Sequence, residues 1–349
     1  MTTYTTPLGY FDSVTTDGGL GQVLATDNNR PPLGSFAFGP AYDGTCFIIK
    51  DNRLYYCKPK RPEAWPDLFY IEVGPRQLPG KTGVFHGGQP HYLNADEVWY
   101  IQGTGSGLFQ PIPTNAKTGA QSVNGAVSVS GKGIYHTGSD GIYLLANQND
   151  MKITEDSLEP LFRGDSVEDM NGVSSMSTSW LFAFANKLYF GYASTGFTYP
   201  NNVIAFNLQT NRIAYYTYND GSDIEIRAIT ADLTNDRIIV GDSTGFLRVI
   251  EDKSVTTDSG TAISWEIQSK DYTMQTRKHF PRFVKYDVDA QNADSVTGAL
   301  ILDGVVHQSH SITGDRETKR RLVDTGNGNK AAVRISGTGP ATFYSAEFE

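Results

Sequence analysis

The chain has 349 residues and a formal net charge of −9, with 36 glycines and an aromatic content of 12%. A helix needs about 20 predominantly apolar residues to span a membrane, and no such run occurs, so we expect no membrane anchor. The first residues lack the basic and apolar regions of a secretory signal peptide, which favours synthesis in the cytoplasm. A chain of this length suits one large β domain followed by a second module.

The negative charge is unevenly distributed. Residues 260–349 contain 11 basic and 11 acidic side chains, so the whole acidic excess lies in residues 1–259. DNA affinity depends largely on cations that neutralise phosphates, so an acidic body is a poor tight binder of nucleic acid. An acidic body suits a channel through which DNA slides without binding tightly. The alternative explanation is that the acidic surface only keeps the protein soluble.

The segment CFIIKDNRLYYC predicts a hairpin with a two-residue turn at Asp51-Asn52. Counting outward from this turn places Cys46 directly opposite Cys57. A disulfide would need a non-hydrogen-bonded pair, and cytoplasmic synthesis disfavours one. We therefore expect two buried thiols, and we expect no metal because ligands at structural-zinc spacing are missing around them.

Apolar residues alternate with a period of two along most of the chain, which predicts strands. Up to residue 250 the predicted strands are Thr45–Ile49, Leu54–Cys57, Phe69–Val73, Glu97–Gln102, Gly133–His136, Ile142–Ala146, Trp180–Ala185, Lys187–Tyr192, Asn202–Asn207, Arg212–Tyr218, Ile224–Thr230, Arg237–Gly241 and Phe246–Ile250. Short polar turns separate them, and a turn or two of helix is expected only at Ser157–Arg163.

Several strand pairs share one form, an aromatic-rich strand, a tight polar turn and a second strand, as in WLFAFANKLYFGYAS. Such a unit cannot bury both faces alone, and radial stacking of units covers them, as in a β-propeller. At about 40 to 45 residues per blade, we predict five blades in a domain spanning 1–255, or six with the amino-terminal lead-in. Two packed β-sandwiches are the alternative.

A polar link at Lys253–Thr261 separates this region from a second one. The strands predicted beyond it are Ser264–Ser269, Arg282–Val288, Thr297–Leu302, Val305–Ser309, Lys319–Leu322, Ala331–Ser336 and Thr342–Glu347. Asp303-Gly304 is a favoured two-residue hairpin turn. Seven short strands in so few residues predict a small β-sandwich over 260–349.

Motifs for catalysis are weak in this sequence. Gly103–Gly107 is glycine-rich, but Pro111 and Pro113 follow it, so it cannot open the helix that a phosphate-binding loop requires. A serine-nucleophile elbow and a zinc-protease motif are both missing from the sequence. We expect a protein that is not an enzyme and that has no catalytic residues and no cofactor.

Two groups of residues raise the question of a metal. His86 and His91 lie five residues apart, with Asp96 and Glu97 as the nearest acids, but zinc favours four ligands, so we expect loop histidines that hydrogen-bond to backbone. Asp287 and Asp289 alternate on one strand, with Asp294 following in the next loop. Without the spacing of a calcium loop, a solvated strand face is expected.

Two basic clusters lie in the second region and would be neighbours in a sandwich. They comprise Arg277, Lys278, Arg282 and Lys285, and Arg316, Lys319, Arg320 and Arg321. They predict either a docking surface for an acidic partner, such as the next subunit's propeller, or the protection of an edge strand by cations.

The stretch LYYCKPKRPEAWPDLFYIEV at Leu54–Val73 places three prolines within eight residues between two strands. Prolines forbid helix and remove ladder donors, which predicts a stiff, extended surface connection pinned by Trp65. This stretch resembles a blade connection in β-propeller virion proteins of tailed bacteriophages, which form the tail nozzle or stabilise packaged DNA. Its cations Lys58, Lys60 and Arg61 make it, with Trp65, our candidate for a subunit contact.

The second region is similar to the carboxy-terminal domain of the same phage proteins, in its order of a Trp-Glu-Ile strand, a Phe-Pro-Arg-Phe strand, an Asp-Gly hairpin and a Val-Arg-Ile-Ser-Gly strand. The resemblance implies a virion structural protein made in the host cytoplasm. It implies a homo-oligomeric ring, for which six subunits is the favoured number, at the end of the tail. Partners would be adaptor or portal-proximal proteins and a fibre or spike, with sequence-independent passage of DNA.

A propeller that binds carbohydrate or a receptor is the alternative function. Its candidate stacking residues are Tyr192, Phe197, Tyr199 and the run Tyr215–Tyr218, because aromatic faces pack on sugars.

Overall fold

The computed structural model describes residues 31–348 except 42, 104–108, 155–157, 219–222, 251–256, 259–260, 274–282, 291–292, 294, 315–316 and 324–327. It divides into two units, Met1–Ile250 and Glu251–Glu349. Almost all regular structure is antiparallel β-sheet. Among the described residues, none of the helices is long and apolar enough to cross a membrane.

The first unit is a β-propeller of five consecutive sheets, here called blades 1 to 5. Blade 1 contains β1 (Phe36–Phe38), β2 (Phe47–Lys50), β3 (Arg53–Tyr56) and β4 (Tyr70–Glu72). Blade 2 contains β5 (Thr82–His86), β6 (Gln89–Leu93), β7 (Val98–Gln102) and β8 (Gln110–Pro113). Blade 3 contains β9 (Ala126–Val129), β10 (Gly133–Thr137), β11 (Ile142–Ala146) and β12 (Asn149–Lys152). After helix α1 (Glu159–Phe162), blade 4 contains β13 (Ser175–Phe184), β14 (Lys187–Ala193), β15 (Asn202–Asn207) and β16 (Ile213–Thr217). Blade 5 contains β17 (Ile226–Asp232), β18 (Arg237–Asp242) and β19 (Leu247–Ile250).

The first strands of the blades surround a common axis. Strand β1 contacts β5, β5 contacts β9, β9 contacts β13 and β13 contacts β17. Residues from all five of these strands line one cavity of about 250 Å³, which we call the axial cavity. The radial arrangement predicted from the repeated strand pairs is therefore present, with five blades in the described part of the chain.

A buried apolar cluster fills each space between consecutive blades. Leu54 of blade 1 packs in one cluster with Tyr92 of blade 2, and Leu93 of blade 2 packs in another with Ile134 of blade 3. Blades 3 and 4 share the cluster around Phe190, and blades 4 and 5 share the cluster around Trp180. Neighbouring blades thus cover the sheet faces that a single four-stranded unit would expose.

Several strands of the propeller were missing from the sequence prediction, namely β1, β5, β6, β8, β9 and β12. Strand β8 shows the reason, because Pro111 and Pro113 break the usual strand signal. It pairs on one side only, with β7, in the ladder of blade 2. An outermost strand tolerates proline because one of its sides needs no ladder donors.

The second unit contains a β-sandwich. After the short pair β20 (Thr257–Asp258) and β21 (Thr261–Ala262), its strands are β22 (Ser264–Gln268), β23 (Tyr272–Thr273), β24 (Phe283–Asp289), β25 (Ser295–Leu302), β26 (Val305–Ile312), β27 (Glu317–Leu322), β28 (Lys330–Thr338) and β29 (Thr342–Phe348). One sheet has the order β22-β28-β25-β26, with β23 also paired to β28, and the other has the order β27-β24-β29. Val284 and Tyr286 of the second sheet pack with Leu300 and Val333 of the first in one buried core.

Candidate interaction surfaces

The hairpin β2–β3 ends at the two cysteines, as its sequence predicts. The register pairs Lys50 with Arg53 and Phe47 with Tyr56. Beyond it, the Cys57 N–H donates to the Cys46 carbonyl at 3.1 Å, and the Cys46 N–H donates to Cys57 Sγ at 3.0 Å. Both side chains are free thiols, and burial raises the pKa of Cys57 to about 11. Cys46 is only half-buried, so the expectation of two buried thiols holds for Cys57 alone.

The segment Lys58–Leu68, here called the connector, joins β3 to β4. It is folded into tight turns and is not the extended connection that we predicted. Lys58 and Arg61 form a β-bridge, the Arg61 N–H donates to the Lys58 carbonyl at 3.0 Å, and the Lys58 N–H donates to the Ala64 carbonyl at 2.9 Å. Proline fixes φ near the value that the first central position of a turn requires, so Pro59 favours the reversal.

Trp65 holds the connector against blade 1. Its side chain is 5% exposed and packs with Ile48 and Cys57. The indole N–H donates to the Pro62 carbonyl at 2.6 Å. Trp65 therefore stabilises the conformation of the connector from its buried side. Because its side chain is buried, it offers little surface to a partner.

The outer side of the connector carries cations and apolar groups, together with exposed Asp67. Pro59, Lys60, Arg61 and Pro62 are exposed, Lys58 is half-buried, and Leu68 is 83% exposed. Proline and the turn hydrogen bonds reduce the conformational freedom of these residues, so a partner would bind them at low entropic cost.

The sandwich brings the two predicted basic segments together at their strands. Strands β24 and β27 are paired, with Lys285 opposite Arg320, Val284 opposite Arg321 and Tyr286 opposite Lys319. On its other side, Lys285 is opposite Glu347 of β29. Lys285 is half-buried. Arg277, Lys278, Arg282 and Arg316 lie outside the described residues.

His86 and His91 lie in a cleft of about 470 Å³ lined by blades 2 and 3. His86 Nδ1 is 2.9 Å from Ser128 Oγ, and His91 Nδ1 is 3.1 Å from the Gln89 carbonyl oxygen. His91 thus makes the predicted contact with backbone, whereas His86 contacts a side chain, and both residues lie on strands and not in the loop that we predicted. Glu97 does not join them, because its carboxylate accepts hydrogen bonds from Asn94 and from the Trp99 indole. Within the described ranges, groups of three or more metal-ligating side chains are absent.

A buried pair in blade 3, His136 and Asp150, was not predicted from the sequence. His136 Nε2 is 2.9 Å from Asp150 Oδ1, with the two side chains 0% and 4% exposed. His136 Nδ1 lies 3.0 Å from the Gly119 carbonyl oxygen, and Asp150 Oδ2 accepts the Lys117 N–H. Because both ring nitrogens are occupied, this imidazole cannot act as a base toward a nucleophile. The two residues are 14 positions apart without any motif, so only the pairing of β10 and β12 with the two sides of β11 brings them together.

The remaining sequence candidates do not form a site. Asp287 and Asp289 are half-buried on β24, and Asp294 lies outside the described residues. Residues 104–108 of the glycine-rich loop also lie outside them.

The aromatic residues of the carbohydrate alternative are not open stacking platforms. Tyr192 is fully buried, and Phe197, Tyr199, Tyr215, Tyr216 and Tyr218 are half-buried. The Arg227 guanidinium covers the Tyr199 ring at 3.9 Å.

Comparison with known proteins gives structural likeness only. Family models and curated protein sequences return no match to this chain. The extracellular domain of the one-component system BT4673 from B. thetaiotaomicron is similar with a TM-score of 0.41 and 12% identity, over 64% of this chain and 29% of that one. Hsv2 from Kluyveromyces marxianus is similar with a TM-score of 0.40 and 9% identity, over 62% of each chain. PorZ from Porphyromonas gingivalis has a TM-score of 0.35 and 10% identity, over 66% of this chain and 26% of that one.

These three are β-propeller proteins, and none of them is a phage tail nozzle. The chain spans less than two thirds of the length of each. At such identities and TM-scores the likeness carries no inference about function, and the assignment of this chain to the β-propeller fold rests on its own sheet order and axial cavity.

Proposed function

We propose that this chain is a structural protein of a tailed-bacteriophage virion, one subunit of a ring at the distal end of the tail that conducts or retains DNA and carries a fibre or spike. The observation that carries the proposal is the connector. Its sequence resembles the blade connection of phage nozzle proteins, and its exposed Lys60, Arg61 and Leu68 rest on a buried Trp65.

Charge favours association between copies of this chain. Residues 1–259 hold the whole acidic excess, so the cationic connector of one copy meets a surface of opposite sign on its neighbour. Opposite charge speeds encounter and fixes register, while exposed Leu68 and the prolines add apolar contact area. In this proposal the protein has a structural role in the ring and is not an enzyme.

The first experiment measures assembly. Full-length protein is examined by light scattering coupled to size exclusion and by electron microscopy over a wide concentration range. Rings of defined size are expected, and antibodies against the protein should label one end of the tail on phage particles. A chain that remains monomeric at every concentration and labels no particle would exclude the proposal.

A charge-reversal pair tests the connector itself. Replacing Lys60 and Arg61 by Glu should abolish rings while leaving the circular dichroism spectrum unchanged. The matched control replaces Lys117 and Arg212 by Glu, which changes net charge equally at exposed sites elsewhere on the propeller. Equal loss of assembly in both variants would point to net charge alone and would remove the connector from the interface.

A further inference from the structure

The hairpin β5–β6 places two histidines on one face of blade 2. Its turn is Gly87-Gly88, and the register pairs His86 with Gln89 and Val84 with His91. Because paired and alternate residues share a face of the sheet, His86 and His91 are diagonal neighbours. Their ring centroids are 6.4 Å apart, and both rings line the cleft of about 470 Å³ between blades 2 and 3.

The hydrogen bonds of these rings determine which nitrogens remain open. The Gln89 carbonyl can only accept, so His91 donates from Nδ1, and its Nε2 carries the lone pair of the neutral ring. His86 also uses Nδ1, in its contact with Ser128 Oγ. In the described part of the chain, neither Nε2 has a hydrogen-bond partner.

Metal-bound histidines almost always engage their other ring nitrogen with a carbonyl, carboxylate or water, which fixes the tautomer and the ring orientation. We propose that this cleft binds one divalent transition-metal ion through Nε2 of His86 and Nε2 of His91, with solvent completing the coordination. The proposal does not depend on the function proposed above.

The donor set decides which metals fit. Imidazole nitrogens suit Cu²⁺, Ni²⁺ and Zn²⁺, whereas Mg²⁺ and Ca²⁺ require oxygen ligands, and Glu97 is directed to Asn94 and Trp99. We expect the site to bind Cu²⁺ more tightly than Zn²⁺. Two imidazoles on a tetrahedral ion, with metal–nitrogen distances of about 2.1 Å, have centroids roughly 5 Å apart. The observed separation of 6.4 Å is somewhat larger, so binding requires the rings to approach each other and to turn both Nε2 atoms toward the ion.

The test uses the full chain without any affinity tag. Calorimetric titration with Zn²⁺ should show one saturable equivalent, and the electron paramagnetic resonance spectrum of the Cu²⁺ complex should show coupling to two nitrogens. His86→Gln and His91→Gln should each weaken binding by about tenfold or more. His307→Gln, on β26 of the sandwich, is the matched control and should leave both readouts unchanged.

A second measurement uses the chain without substitutions, so its result does not depend on whether the variants fold. Zn²⁺ should protect His86 and His91, but not His307, from acylation by diethyl pyrocarbonate, as mapped by mass spectrometry. The absence of binding at millimolar Zn²⁺, an unchanged affinity in His91→Gln, or loss of binding in His307→Gln would each overturn the proposal.

Discussion

At the scale of single residues, burial determines how strongly the pair of His136 and Asp150 contributes to stability. The two side chains are almost fully removed from solvent, and the imidazole is stacked on Tyr143 with a centroid distance of 5.8 Å. Removing one member of a buried pair leaves the other without its partner in a medium of low dielectric constant, which costs far more than losing an exposed pair.

Asp150→Ala should therefore lower the free energy of unfolding by about 3 to 5 kcal/mol, measured by urea denaturation. Asp140→Ala provides the control. Asp140 pairs with Lys152 at 2.9 Å, but its side chain is 46% exposed, and an exposed pair contributes about 1 kcal/mol or less. Similar losses in the two variants would show that the His136–Asp150 pair is not isolated from solvent.

The two thiols lead to a prediction on pH dependence. Thiolate is the reactive form, and burial raises the pKa of Cys57 to about 11, so Cys57 should remain protonated and unreactive at pH 8. In a Cys46→Ser variant, alkylation by iodoacetamide should be very slow at pH 8 in the native protein and should accelerate as the pH rises toward 11. Rapid labelling at pH 8 without denaturant would contradict the burial of this thiol.

At the scale of elements, the strands that sequence predicts well are those with regular alternation, such as β18 and β24. Among the strands that it misses, β8 contains two prolines and β1 is only three residues long. Their conformation is determined by the neighbour to which they hydrogen-bond, and a single-sequence pattern does not contain that neighbour. The connector shows the same limit, because its prolines predict an extended connection, whereas its folded turns depend on hydrogen bonds to Lys58 and Arg61.

The pairing of β13 with β14 depends on a residue without a side chain. Gly191 is opposite Trp180, and a Cβ at position 191 would lie 2.1 Å from Trp180 Cε2. The indole is buried between blades 4 and 5, so moving it aside would disturb the packing of that cluster. Gly191→Ala should therefore destabilise the propeller by about 3 kcal/mol, at the upper end of the cost of overpacking.

Thermal unfolding followed by circular dichroism would check this prediction. Gly241→Ala is the control, because a Cβ there would have its nearest contact at 3.6 Å, from Ala228. A variant at position 191 that is as stable as the control would show that the indole can be displaced.

At the scale of the whole molecule, the apolar clusters follow the division into two units. The clusters of the propeller contain residues up to Ile250, whereas the sandwich core begins at Val284 among the described residues. A unit with its own core can fold alone. A fragment ending at Ile250 should therefore give a cooperative thermal transition and a β-type circular dichroism spectrum. A fragment without cooperative unfolding would show that the propeller needs the second unit.

The sequence by itself determined the class of the fold. Its period-two alternation predicted β structure, its repeated hairpins predicted blades, and its change of character near Lys253 predicted a second β module. Tertiary structure alone decided which side chains meet. The buried His136–Asp150 pair, the diagonal pair His86 and His91, and the axial cavity arise from strand register and from the closing of blades around an axis. The physical reason is that alternation reports which face of a strand is buried, whereas contacts between strands depend on pairing partners that lie far apart in the chain.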